Sequence, residues 1–291
     1  MLLNLREYHR PAVEAPGQAL DHALTLLARP GIRTVPLAGG DMLLASADPT
    51  VEAVVDLQGL GLDAIRVDET PQVFAIGAMA KRGALAAHEA TGSLYGGILA
   101  DADRRWGGSV QRNRATVGGA VAAAAPNDPL MVALLACDAW VTLRDRAGAS
   151  KLPLSLFVSR RADLLAAPAL VVEVRIPWPT SPHGGALAAV ARTPADAPIV
   201  VAAATVRRDG ARCDVARLAL GGVADAPLDL SEMAVVLAGQ PWSDTAITDL
   251  VARVAAGLQP IGDFRGSAAY RRAMAETLGV RALRTAWARA A

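Results

Sequence analysis

Two glycine doublets, Gly39-Gly40 and Gly118-Gly119, are the segments of this 291-residue chain whose residue types could do chemistry. The first sits in Leu37-Ala38-Gly39-Gly40-Asp41-Met42-Leu43-Leu44. The second sits in Arg112-Asn113-Arg114-Ala115-Thr116-Val117-Gly118-Gly119-Ala120-Val121-Ala122. Consecutive glycines let the backbone turn with positive φ and aim several N–H groups at one point. Such a nest holds phosphate oxygens without needing a lysine, and two nests brought together could cradle a pyrophosphate. Neither doublet has GxGxxG spacing and neither is a P-loop. Spacing alone therefore leaves two readings, an anion site or ordinary turns, since glycine is the default turn residue.

No other segment offers reactive chemistry. His9, His22, His88 and His183 have no metal-ligand spacing. The two cysteines, Cys137 and Cys213, cannot build an iron–sulfur or zinc site by themselves and read as buried thiols. No nucleophile–His pair or hydrolytic carboxylate pair stands out. A net charge of +1 with interspersed signs excludes a basic face for nucleic acid. The basic residues are nearly all Arg, with Lys only at Lys81 and Lys151. No apolar run is long enough for a transmembrane segment, the first residues do not resemble a signal peptide, and a cytoplasmic setting is the default expectation.

The elements that must position the doublets follow from pattern. At 53% hydrophobic and 20% charged residues, the chain can bury the cores of two or three subdomains. Ala15–Ala28 is an amphipathic helix stopped by Pro30-Gly31, and Thr34–Ala38 is a short strand running into the first doublet. Val51–Leu57 and Gln72–Met79 are strands, and Arg82–Thr91 is a helix. Asn127–Ala136 is a further helix, with strands at Ala139–Leu143 and Leu170–Ile176. The Pro- and Gly-dense stretch from Pro177 to Gly185 reads as a boundary. Beyond it come paired strands at Ile199–Arg207 and Arg212–Leu220, then helices at Ser231–Gly239, Asp244–Gly257 and Ser267–Arg289. The alternation marks an α+β protein.

Taken in order, these segments resemble the flavin-binding subunits of the xanthine dehydrogenase and aerobic carbon monoxide dehydrogenase (molybdenum hydroxylase) family. The first doublet resembles its AGG-T/S-x-L-L loop and the second its IRN-x-ATVGG-N/S loop. Ala75-Ile76-Gly77-Ala78-Met79 is similar to the IGA strand between them, and Leu170–Pro177 to the E-L-I-x-x-V-x-I-P strand. Asp263–Arg272 is similar to the D-x-R-x-S-x-x-Y-R segment. The resemblance implies an α+β fold: a vanillyl-alcohol-oxidase-like, PCMH-type FAD-binding domain over 1–179, with subdomains of about 1–57 and 58–179, followed by a carbon monoxide dehydrogenase flavoprotein-like α+β C-terminal domain over 180–291. It implies FAD diphosphate contacts from Leu37, Ala38, Gly39, Gly40, Asp41 and Met42, and from Thr116, Gly118, Gly119 and Val121. Val171 would touch the isoalloxazine ring.

The resemblance also implies partners. A large subunit would hold a molybdenum-pterin cofactor, a small subunit would hold [2Fe–2S] clusters, and the complex would be a dimer of heterotrimers. Electrons would pass from the clusters to FAD in this chain and on to an external acceptor, with no catalytic side chain of its own. Asp41, Ala120, Pro129 and Ala189 depart from the family pattern, with Asp128 beside Pro129 as a substitute acid. Asp263, Arg265 and Tyr270 read as a hydrogen-bonded corner or a subunit contact. Two rivals stand beside this reading: a scaffold subunit that has lost flavin, and a freestanding flavin oxidoreductase.

Overall fold

The computed structural model describes residues 4–11, 16–69, 72–179, 181–193 and 196–290. The N-terminal segment alternates β1 (Glu7–His9), α1 (Pro16–Leu27), β2 (Thr34–Leu37), α2 (Asp41–Ser46) and β3 (Ala53–Asp56). β1 and β2 each pair in parallel with β3, giving the order β1-β3-β2. Parallel neighbours require crossovers, which α1 and α2 provide. All of β3 is buried, as an apolar central strand requires. Its terminal Asp56 is not left unsatisfied: the Tyr8 hydroxyl donates to one carboxylate oxygen and the Gln58 amide to the other.

There follow β4 (Ile65–Glu69), β5 (Gln72–Gly77), α3 (Arg82–Ala87), α4 (Glu89–Ser93), α5 (Ile98–Arg104), α6 (Ser109–Arg114), α7 (Val117–Ala123) and α8 (Pro129–Ala136). Then come β6 (Trp140–Arg144), β7 (Ala149–Pro153), α9 (Leu154–Ser159), α10 (Arg161–Leu164) and β8 (Leu170–Pro177). Five of these strands form a sheet of order β4-β5-β8-β6-β7. Arg66 and Asp68 on β4 reach across β5 to Glu173 and Arg175 on β8. They close a ring of four ion pairs between 2.6 and 3.0 Å.

The last elements are β9 (His183–Val190), β10 (Val200–Asp209), β11 (Arg212–Gly221), β12 (Leu228–Asp229), α11 (Ser231–Ala234), α12 (Asp244–Gly257) and α13 (Ala268–Arg289). The strands make an antiparallel sheet of order β12-β11-β10-β9, with the expected pairing of β10 and β11. Ser243 and Ser267 cap α12 and α13, each hydroxyl accepting the amide three residues on. α8 is apolar on every side, and all its residues are buried.

The chain divides into two compact units. The first comprises Met1–Ala84, Ser109–Ala123 and Trp140–Arg175; the second comprises Leu85–Gly108, Ala124–Ala139 and Ile176–Ala291. Both glycine doublets belong to the first. Within the second, the core joins the antiparallel sheet to α12 and α13 through Val200, Leu218, Leu220, Val251, Leu278 and Leu283.

Several expectations change in detail. The helix expected over Arg82–Thr91 is two helices, because His88 leaves the helical conformation and its ring accepts the Ala90 amide as the cap of α4. The one expected over Ser231–Gly239 shortens to α11 and a 3₁₀ turn at Val235–Leu237. His183–Val190, partly inside the Pro- and Gly-dense stretch, is a strand. Among the described residues no helix is long and apolar enough to cross a membrane.

Candidate functional site

The first doublet follows the carboxyl end of a parallel strand, where open α/β sheets bind ligands. Leu37 pairs with Asp56, and its carbonyl accepts the Leu57 amide at 3.0 Å. Gly40 then takes the left-handed conformation, φ 76°, which costs other residues about 1–2 kcal/mol. Its carbonyl receives the Leu44 amide at 3.0 Å and starts α2. Among the described residues, no acceptor is found for the amides of Gly39, Gly40, Asp41 and Met42. Gly39, Gly40 and Asp41 are half-buried and Met42 is exposed. Four donors without acceptors at one strand end are what an anion requires.

The second doublet behaves differently, and here the expectation of a second nest is corrected. Gly118 and Gly119 are not left-handed and do not end an extended run; they lie in the first turn of α7, after the helix α6. Their amides are already used. Gly118 donates to the Ala78 carbonyl at 2.8 Å and Gly119 to the Thr116 hydroxyl at 3.1 Å. Val117 donates to Ala80 at 2.9 Å. The reason for glycine is contact rather than turning: a Cβ on Gly118 would lie 2.5 Å from the Ala78 Cβ and 2.8 Å from its carbonyl oxygen. Thr116, buried, caps α7 through that hydroxyl.

The first doublet nevertheless lies against the chain that leads into the second. A Cβ on Gly39 would overlap the Arg114 carbonyl oxygen and lie 3.0 Å from the Ala115 Cα, so the first loop rests on the chain entering the second. That same Arg114 oxygen accepts the Lys81 ammonium at 3.3 Å, and the Lys81 backbone bridges to Thr116. Sequence alone does not mark Lys81 or Ala78 as a site residue. The signal available was the rarity of lysine in an arginine-rich chain, directly after the IGA strand.

The remaining candidates fall as follows. Leu37 and Ala38 are half-buried, each packed against a different core cluster. Val121 is fully buried in α7, and Val171 is buried on β8 opposite Leu143. Asp128 belongs to the second unit, where its carboxylate caps α8 by accepting the Leu130 amide at 2.9 Å, with Pro129 opening that helix. Ala189 lies on β9 opposite Val201. Both cysteines are free and buried, and burial pushes the Cys213 thiol up to about 11. Among the described residues no cluster of His, Cys, Asp or Glu is placed to hold a metal ion.

The Asp263 segment is a hydrogen-bonded corner. Asp263 accepts the Arg265 and Gly266 amides at 2.9 and 3.2 Å and pairs with Arg271 at 2.7 Å. Partial desolvation works against its ionisation. The bonds from Arg271 and Arg265 outweigh this and hold the carboxyl well below the usual carboxylate range. Arg271, itself buried, also donates to the Ile199 and Gly222 carbonyls at 2.8 Å each.

Comparison with known proteins adds a second line. Residues 6–179 match the family described as the FAD binding domain in molybdopterin dehydrogenase, and residues 185–286 match the CO dehydrogenase flavoprotein C-terminal domain. The chain is 32% identical to the 6-hydroxypseudooxynicotine dehydrogenase complex subunit alpha of Paenarthrobacter nicotinovorans, over 94% of this chain and 93% of that one. It is 29% identical to the carbon monoxide dehydrogenase medium chain of Afipia carboxidovorans, over 98% and 97%. A solved carbon monoxide dehydrogenase from Hydrogenophaga pseudoflava, lacking the Mo-pyranopterin moiety of its molybdenum cofactor, superposes with a TM-score of 0.90 at 28% identity, covering 100% of both chains.

Proposed function

The chain belongs to the family of FAD-binding medium subunits of molybdenum hydroxylases, and from that premise we propose that it carries FAD between the [2Fe–2S] clusters of a small partner subunit and an external electron acceptor. As a member it is a subunit of an oxidoreductase. The residues present fit the cofactor's diphosphate at one loop. Among the described residues no acceptor is found for the amides of Gly39, Gly40, Asp41 and Met42, and this observation carries the reading. Leu37 and Ala38 bring the strand to that loop. Thr116 caps, and Gly118, Gly119 and Val121 lie in, the helix α7 that follows the Arg114–Ala115 backbone on which that loop rests, and Val171 supplies an apolar surface for the ring system. Residues 1–179 would serve as the cofactor domain and 180–291 as the C-terminal domain.

When bound, FAD supplies the redox group; the chain's own task is to hold it, orient it and leave one edge open to an acceptor. On this reading no acid–base role falls to a side chain of this chain, which relays electrons and leaves substrate oxidation to a large molybdopterin-binding partner. A cytoplasmic dimer of heterotrimers completes the reading.

The test is a visible absorption spectrum of the purified full chain, with mass spectrometry of the released cofactor and identification of co-purifying subunits. Flavin bands, the mass of FAD and both partners are expected. A colourless chain that still captures both partners would instead be a scaffold, and a yellow chain active without partners would be a freestanding oxidoreductase.

A further inference from the structure

We propose that Lys81 is a diphosphate-binding residue of this chain, supplying a side-chain cation beside the backbone amides of the first loop. The proposal rests on the flavin reading above and goes beyond it, since nothing in the family comparison assigns a role to this lysine.

Three observations converge. First, the Lys81 ammonium donates to the Arg114 carbonyl oxygen at 3.3 Å, the atom on which the Gly39 backbone rests. The ammonium and the Gly39 backbone therefore share one oxygen atom as a neighbour. Second, the ammonium has two further N–H donors and no carboxylate partner among the described residues. A half-buried lysine with one bond to a neutral carbonyl is poised for an anion. Third, Lys81 is fixed from its backbone. It bridges to Thr116, and the neighbouring Arg82 amide donates to the Ala115 carbonyl at 3.0 Å. The lysine is thus held by the segment that braces the Gly39 loop.

The charge balance of the first loop explains why a cation is useful. Asp41 stands in the first turn of α2, where its negative charge suits the helix dipole but opposes a diphosphate. One added positive charge offsets that repulsion. Lysine suits the role as a compact point charge on a flexible stem.

The experiment titrates the full chain, stripped of any bound flavin, with FAD, ADP and riboflavin, the last lacking any phosphate. The variants are Lys81→Met and Lys81→Arg, with folding checked by circular dichroism. The expected result is roughly tenfold weaker binding of FAD and ADP to Lys81→Met, equal to about 1.4 kcal/mol. Riboflavin affinity should not change, Lys81→Arg should retain most of the affinity, and Lys81→Met should flatten the salt dependence of ADP binding. Unchanged FAD and ADP affinity in Lys81→Met would overturn the role of Lys81 and leave the flavin reading standing. Equal losses for all three ligands would also overturn it, because a purely structural lysine does that. ADP binding that depends on Lys81, in a chain that takes up neither FAD nor riboflavin, would keep the anion site and remove the flavin. A chain that binds none of the three would remove both.

Discussion

The backbone of Gly39 rests on the carbonyl of Arg114 so closely that a Cβ would come within 2.8 Å of the carbonyl carbon. Its φ is not left-handed, so the need for glycine here is steric and not conformational. Gly39→Ala should therefore destabilise by about 1–3 kcal/mol, as overpacking does, instead of gaining the fraction of a kcal/mol that Gly→Ala gives at an open site. Urea unfolding and the flavin-to-protein absorbance ratio both read it. Full stability with full flavin content would contradict the contact.

A second close approach gives a paired test. Gly118→Ala should push α7 away from Ala78 and cost about 1–3 kcal/mol. Adding Ala78→Gly removes the Cβ that lies 2.5 Å from the new methyl, but leaves the Ala78 carbonyl oxygen at 2.8 Å. Rescue should thus be partial, measured as a coupling in a double-mutant unfolding cycle. Full rescue, or none, would place the clash elsewhere.

Thr116 offers a test of how α7 is capped. Thr116→Val keeps the volume and removes the hydroxyl that accepts the Gly119 amide. The expected loss is about 1 kcal/mol, with Thr116→Ser close to the parent. Thermal unfolding of the three proteins distinguishes a hydroxyl effect from a packing effect.

The Asp263 corner predicts a pH response. Its carboxyl titrates lower in the folded chain than in the unfolded one, so the stability it contributes is complete above the ordinary value of 3.8 and fades as pH falls below it. Asp263→Asn should lower stability at neutral pH and flatten the dependence below that value. Arg271→Met should cost more, because it also leaves two buried carbonyls, on Ile199 and Gly222, without their donor. Denaturant midpoints at neutral and acid pH read both effects.

Much of the fold was legible because local signals agreed with the final packing. Ser243 and Ser267 mark the starts of α12 and α13, and the runs Ile199–Arg207 and Arg212–Leu220 mark the β10–β11 pair. The first doublet was legible for the same reason: a strand runs into it and Gly40 turns the chain. The second was not. Gly118-Gly119 reads as a break in sequence, yet the Ala78 backbone presses on it and Thr116 caps it, so it becomes helix. β9 was hidden likewise. Gly184 and Gly185 look like a loop, but a Cβ on the first would lie 2.6 Å from the Ala290 amide nitrogen and on the second 3.0 Å from the Tyr95 Cβ. Such close approaches join residues distant along the chain, and composition does not reveal them. The placement of Lys81 is not legible in sequence either, because the carbonyl it bonds belongs to Arg114, on a distant segment.

The position of Arg271 in the chain bears on how the protein folds. Ile199 and Gly222 precede the helix that carries this guanidinium, so a chain cut short before α13 would leave both carbonyls without that donor. The four-stranded sheet of the second unit therefore depends on contacts that span 72 and 49 residues of chain, the long-range kind whose loop closure slows folding.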